Sequence, residues 1–326
     1  MSNTFRYRFI IVALFTLLHV VGFSQNTVDS IVATYPAKFT SYQELTNRIA
    51  TDFSGDEERA RAAFAWIAMN VAYDLKGINN TQKVQFSYTS KEDLQAQKEA
   101  FRKKLASQVL KKKRALCEGY ATLYQEICKL LNIECVIVTG IAKRFSSEIG
   151  KANLPSNHAW NAVKINKKWK LVDITWAAGS VDFAKMIFRK AYTPAYFACS
   201  PEEFAFKHYP DDLNYLFLNK AFSKEDFSLQ PTVFNPFIGH GYRIISPKNG
   251  SLALKKGSDI SFNITNVSSK TQISYHFSNE KYAQNIQVSQ NEKGISFAIP
   301  ALKKGKRELT IYFDQQAVLS YLVDIR

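Results

Sequence analysis

The chain has 326 residues, with 43 Lys and Arg against 28 Asp and Glu, a net charge of +15. Its length suits two domains, and a composition 46% hydrophobic and 22% charged excludes a disordered or low-complexity chain. The basic runs Lys111 to Arg114 and Lys303 to Arg307 lack the interleaved aromatics of a base-stacking surface, so no nucleic-acid partner is expected.

At the N-terminus, Arg6 and Arg8 precede an apolar run from Phe9 to Phe23, followed by Ser24. A charged start, an apolar stretch and a small-residue cleavage point predict a signal peptide over residues 1–24. The run is shorter than the about 20 residues a membrane span needs; an uncleaved anchor is the alternative. Cleavage would leave 41 basic against 28 acidic residues, a net +13. The expected location is periplasmic, cell-surface or secreted, with no integral membrane span after cleavage. An anionic cell-envelope polymer would suit that charge.

Two helices follow, each opened by a capping-box pattern, "SYQE" from Ser41 and "SGDE" from Ser54. The second repeats Ala60, Ala63, Phe64, Ile67 and Val71 at helical spacing, which predicts one buried face and an end near Tyr73. A polar stretch from Lys76 to Ser90 leads to a third helical pattern through Leu94, Phe101, Leu105 and Val109. From Cys117 another helix carries Ala121, Tyr124, Cys128 and Leu131 on one face. "ECVIVTGIA", ending at Ala142, reads as a strand, and "SEIGKANLPSN" as a loop. "HAWNAVKI" and "KWKLVDITW" read as a hairpin turning at Asn166-Lys167. Short strands separated by turns begin near Tyr242 and predict a β-sandwich. The expected fold class is α+β: residues 25–225 form a domain of helices on an antiparallel sheet, and residues 232–326 an Ig-like sandwich.

Four cysteines remain, Cys117, Cys128, Cys135 and Cys199. An even number in an oxidising compartment invites disulfides, but a chain this large does not need them. Buried free thiols are expected for Cys128 and Cys135, and nothing identifies a partner for Cys199. Cys117 has three readings: nucleophile, disulfide partner or small buried residue. At a helix N-terminus its thiolate would gain from unpaired N–H groups and the helix dipole. Gly119 would let a substrate backbone approach, whereas Glu118 would oppose ionisation.

If Asn166-Lys167 is a two-residue turn, Ile165 pairs with Lys168, and His158 lies opposite Thr175. Asp173 then shares a face with His158, one pair away on the diagonal. A carboxylate so placed can orient an imidazole, as in a nucleophile–base–orienter set. An ordinary strand histidine and a locally capping aspartate are the bland readings. His208, His240 and His276 lack neighbours at metal-ligand spacing, so no metal or other cofactor is expected.

The stretches "LCEGYATLYQEICKLLNIECVIVTGIA" and "NHAWNAVKINKKWKLVDITWAAG" closely resemble the transglutaminase-like superfamily. The likeness extends to "AFAWIAMNVAYD" upstream and "YFACSPEEFAFKHYPDD" downstream, the last pointing to the kyphoscoliosis-peptidase-like branch. It covers roughly residues 57 to 215 and implies a papain-like fold with a Cys–His–Asp triad. Matched residue by residue, it makes Cys117 the nucleophile, His158 the general base and Asp173 the orienting acid. Trp176, Trp160 and Gly119 would wall the substrate site. The implied activity is that of an exported cysteine peptidase or amidase working through a thioester on a protein or peptide. The alternatives are a cross-linking transglutaminase and a non-catalytic envelope-binding scaffold.

Overall fold

The computed structural model describes residues 21–80, 84–291 and 294–326. The expected signal peptide falls largely outside the described residues. Among the described residues, no helix is long and apolar enough to cross a membrane.

The first helix, α1 (Val21–Ala33), has no counterpart in the sequence reading; Val28 and Val32 are buried on its inner face. Tertiary contacts hold it: Asp29 forms a two-pronged ion pair with Arg61 and accepts from Tyr192 Oη at 2.8 Å. α2 (Tyr42–Asp52) is capped by Ser41, but Glu44 reaches past that cap to the Thr40 N–H. α3 (Asp56–Asn70) starts one residue later than its pattern suggests, with Gly55 at the N-cap and the Glu58 carboxylate on the Gly55 N–H. α3 is buried on every side from Ala60 to Ala68, rather than on one face. Its alanines let neighbouring helices approach closely, so α3 is the central rod of this half of the molecule. It stops at Asn70, and Ala72–Tyr73 (β1) pairs in parallel with Arg114–Ala115 (β2).

α4 (Lys91–Lys112) ends at Lys113 in the left-handed conformation, which turns the chain into β2 and then α5 (Cys117–Leu130). The sheet beside these helices contains β3 (Cys135–Ala142), β4 (His158–Ile165) and β5 (Lys168–Val172). Beyond β5, α6 (Ile174–Ala177) leads to the hairpin of β6 (Gly179–Asp182) and β7 (Ile187–Lys190). β8 (Phe197–Cys199), α7 (Pro201–Phe204) and β9 (His208–Pro210) follow, giving the sheet order β8-β5-β4-β3-β9. The β4–β5 turn is the predicted one. Ile165 pairs with Lys168, and Asn166 and Lys167 both have positive φ, as a type I′ hairpin requires.

α8 (Lys224–Leu229) connects this part to the C-terminal β-rich region. There, β10 (Thr232–Val233), β11 (Arg243–Ser246), β12 (Ser251–Leu254), β13 (Asp259–Thr265) and β14 (Ile273–Phe277) precede β15 (Gln284–Asn285) and β16 (Ser289–Asn291). β17 (Gly294–Pro300), β18 (Gly305–Phe313) and β19 (Gln316–Ile325) complete it. The strands form two sheets, β11-β13-β17-β16 and β10-β19-β18-β14-β15, with β12 added in parallel to β19. Alternate residues of β13, β17 and β18 turn inward, and Phe262 on one sheet meets Tyr321 on the other. The fold is the mixed one expected: helices with an antiparallel sheet, then a β-rich C-terminal region.

Gly140 lies within β3, between β4 and β9. A Cβ there would overlap the Tyr209 carbonyl oxygen and lie 2.7 Å from Trp160 Cη2. Gly140→Ala is therefore expected to destabilise the protein by about 3 kcal/mol, since neither the backbone nor a buried indole can yield cheaply. Urea denaturation of the two proteins side by side measures this, and a midpoint unchanged within error would contradict it.

Candidate active site

Cys117 is the first residue of α5, following Leu116 at the N-cap, which supplies no side-chain hydrogen bond. The sulfur thus sits where the helix presents unpaired amides and the positive end of its dipole. β4 begins at His158, and α5 packs along β4, so the sulfur and the imidazole come into direct interaction. The Ala159 N–H also points to the sulfur. The phenol of Tyr73 faces the same space, near Cys117, Asp173 and Arg144. Burial pushes its pKa up to about 12, so it keeps its proton.

His158 Nε2 lies 2.8 Å from Asp173 Oδ2. The route differs from an extended hairpin. Pairing stops at Asn161–Val172 because Asp173 N-caps α6, with Oδ1 accepting from the Trp176 N–H at 3.0 Å. Thr175 is drawn into that helix, and His158 pairs with Gly140 instead. Leaving the strand therefore does not cost Asp173 its reach, since the cap fixes one carboxylate oxygen and turns the other toward the imidazole.

The site's electrostatics are those of a charged cluster held out of water. Asp173 is fully buried, which opposes its ionisation. The His158 charge and hydrogen bond, with the His208 hydrogen bond, outweigh this and hold the carboxyl well below its usual range. Burial likewise opposes the His158 imidazolium, but Asp173 and Cys117 together push it up to about 10. For Cys117, burial raises the pKa, whereas His158 and the Ala159 N–H lower it, with a net downward shift. Thiolate and imidazolium thus stabilise each other. Glu118 is exposed.

A transglutaminase-like superfamily model matches residues 43–174, the segment that supplies this cysteine, histidine and aspartate. Those residues form a transglutaminase-like domain. The kyphoscoliosis peptidases of Mus musculus and Homo sapiens are 27% and 28% identical to this chain over 215 residues. That is 66% of this chain, which spans 30% of the length of these relatives. A solved TGase structure aligns with 49% of this chain and 35% of its own at 17% identity, with a TM-score of 0.28.

Within the transglutaminase-like domain, two expected wall residues lie elsewhere. Gly119 is buried and turned inward, where a Cβ would come within 2.8 Å of Ala115 Cβ and 2.9 Å of Val109 Cγ2. It serves the packing of α5 on α4, not substrate approach. Trp160 is 1% exposed and packs against Phe204 and His208, behind His158. Trp176 is partly exposed, with its ring centroid 5.5 Å from that of His158. Lys207 Nζ lies 4.0 Å from the Trp176 ring centroid, and burial lowers that lysine's pKa to about 7. All four cysteines are free thiols. Cys128 is fully buried, Cys135 only partly shielded, and their thiols are neighbours.

The residue that the sequence reading misses is His208. β9 docks on the free edge of β3, with Ala142 opposite His208, and this brings His208 Nε2 to 2.9 Å from Asp173 Oδ2. The stretch "YFACSPEEFAFKHYPDD" contains it without giving it a role, and it lies 34 residues past the end of the family match. His158, Asp173 and His208 have the composition of a metal site, with ligand-type atoms within 4.8 Å of one another. Both imidazoles, however, meet the same carboxylate oxygen at hydrogen-bond distance. The expectation that His208 lacks neighbours with ligand-type atoms therefore does not hold, because the docking of β9 brings it to the His158–Asp173 pair.

Burial leaves His208 with a pKa lowered to about 4. Between pH 6.5 and 4 the unfolded chain therefore binds a proton at this residue that the folded chain refuses. Stability is expected to fall as pH drops through that window, by about 1 kcal/mol per unit. His208→Gln should flatten this slope. Urea titrations at pH 6.5 and 5 measure it, and equal slopes in both proteins would contradict the assignment.

Proposed function

We propose that the protein is an exported cysteine-dependent enzyme that cleaves amide bonds in a peptide or protein. The observation that carries the reading is the thiol at the α5 N-terminus interacting with an imidazole whose far nitrogen is anchored, 2.8 Å away, to a buried carboxylate. In this reading the Cys117 thiolate attacks the carbonyl carbon, forming an S–C bond. The Cys117 backbone N–H faces the oxyanion that develops. His158 Nδ1 then gives its proton to the departing amine as the C–N bond breaks, leaving a thioester. His158 next removes a proton from water, whose oxygen attacks the thioester, and the returning proton releases the thiol. Asp173 keeps Nε2 protonated and Nδ1 directed at the sulfur throughout.

Hydrolysis rather than transfer to an amine is favoured by the similarity to proteins named as peptidases. Export rests on the charge pattern and apolar run of residues 1–24. An anionic envelope polymer would suit the net charge as a secondary contact.

Incubation with a peptide library followed by mass spectrometry should trap an acyl group on Cys117. Cys117→Ala should abolish the adduct, and Asp173→Asn should slow turnover ~10³-fold while the protein stays folded. Adducts that persist in Cys117→Ala would refute the assignment. Iodoacetamide should also modify Cys117 at pH 7 faster than free cysteine, as a thiolate–imidazolium pair requires.

A further inference from the structure

We propose that His208 is a positioning residue. Its Nε2–H pins Asp173 Oδ2 in the orientation that holds His158 against Cys117. This inference rests on the roles given above to Cys117, His158 and Asp173.

The Asp173 carboxylate has two tasks, capping α6 and orienting His158. Oδ1 is fixed by the Trp176 N–H at 3.0 Å, while Oδ2 receives both imidazoles at 2.8 and 2.9 Å. Without His208, Oδ2 would be held by the very ring it is meant to orient. The cap holds only Oδ1, so the place of Oδ2 would then depend on His158 alone. A second donor on Oδ2 breaks the circularity.

His208 is itself clamped. It is 1% exposed, its ring stacks on Phe204 with centroids 3.9 Å apart at 17°, and Trp176 and Trp160 close in at 4.6 and 5.1 Å. β9 fixes its backbone. A neutral imidazole suits the position, because it adds an N–H without a positive charge that would compete with His158 for the carboxylate. The neighbouring Lys207, whose pKa burial lowers to about 7, lies over Trp176 and 3.5 Å from Asn235 Oδ1. The competing arrangement is also visible: His208 Nδ1 approaches the Phe204 carbonyl oxygen at 3.3 Å. A neutral ring has one proton and cannot donate to both. The shorter contact to a charged acceptor favours Nε2–H.

The test reads Cys117 alkylation by iodoacetamide against pH, which requires no turnover. In the wild type, and in His208→Gln, whose amide nitrogen can replace Nε2, the acid limb should have the same midpoint. In His208→Leu it should move up by about one pH unit, a tenfold loss of rate on that limb. A folded His208→Leu protein with the wild-type midpoint would overturn the proposal. If His208→Leu does not fold, nitrogen-15 NMR of histidine-labelled wild type decides. A His208 ring protonated at Nε2 supports the proposal, and one protonated only at Nδ1 overturns it. A wild-type Cys117 with no depressed midpoint would instead count against the enzymatic reading, while the NMR result would still decide the role of His208.

Discussion

The structure around the site depends on one buried charge. Asp173 has no access to solvent, and an unpaired carboxylate there would cost several kcal/mol. Three N–H donors from three places in the fold compensate: a helix backbone amide and two imidazoles. Each donor constrains an element. The amide sets where β5 ends and α6 begins, His158 sets the start of β4, and His208 requires β9 to lie along β3. Loss of any one leaves part of the charge unmet, so the carboxylate acts as a geometric lock on the sheet end that faces α5.

That lock also explains two residues that look unrelated to chemistry. Gly140 has no side chain because the indole of Trp160 lies across its position, toward Phe204 and His208. A larger residue in β3 would push Trp160 back and loosen the aromatic clamp around His208. Gly119 does the equivalent for the nucleophile's helix. It lets the first turn of α5 settle on Val109 of α4 and Ala115 of β2, which fixes the height at which the sulfur meets β4. Both glycines are enclosed by neighbouring protein atoms, and both set distances within the site.

Much of this was legible in the sequence where the determinants are local. The Asn166-Lys167 turn sets the register of β4 on β5 as far as Asn161 and Val172, but the His158–Asp173 contact expected from that register forms through the α6 cap instead. Caps were legible in kind but not in position. Ser54 and Gly55 compete for the same role, and the choice depends on how α3 packs, which no tetrapeptide encodes. Thr175 was misplaced because a strand pattern says nothing about an aspartate that can cap a turn of helix. Burial around α3 was underestimated for a similar reason, since alanines carry little periodic signal and pack on all sides. His208 lies in a stretch that carries the family likeness, but its role was illegible because it comes from an edge strand docking, after a segment of short elements with no repeating pattern.

Proton placement follows from the same arrangement. A carboxylate with two imidazole donors on one oxygen cannot favour both rings as cations, since two buried positive charges would repel across that oxygen. The ring adjacent to the thiol gains from a second negative partner, while the ring enclosed by Phe204, Trp160 and Trp176 does not. The proton therefore resides on His158, and His208 stays neutral. Environment separates the two otherwise identical side chains. The one beside the sulfur carries charge, and the one beside the aromatics supplies direction.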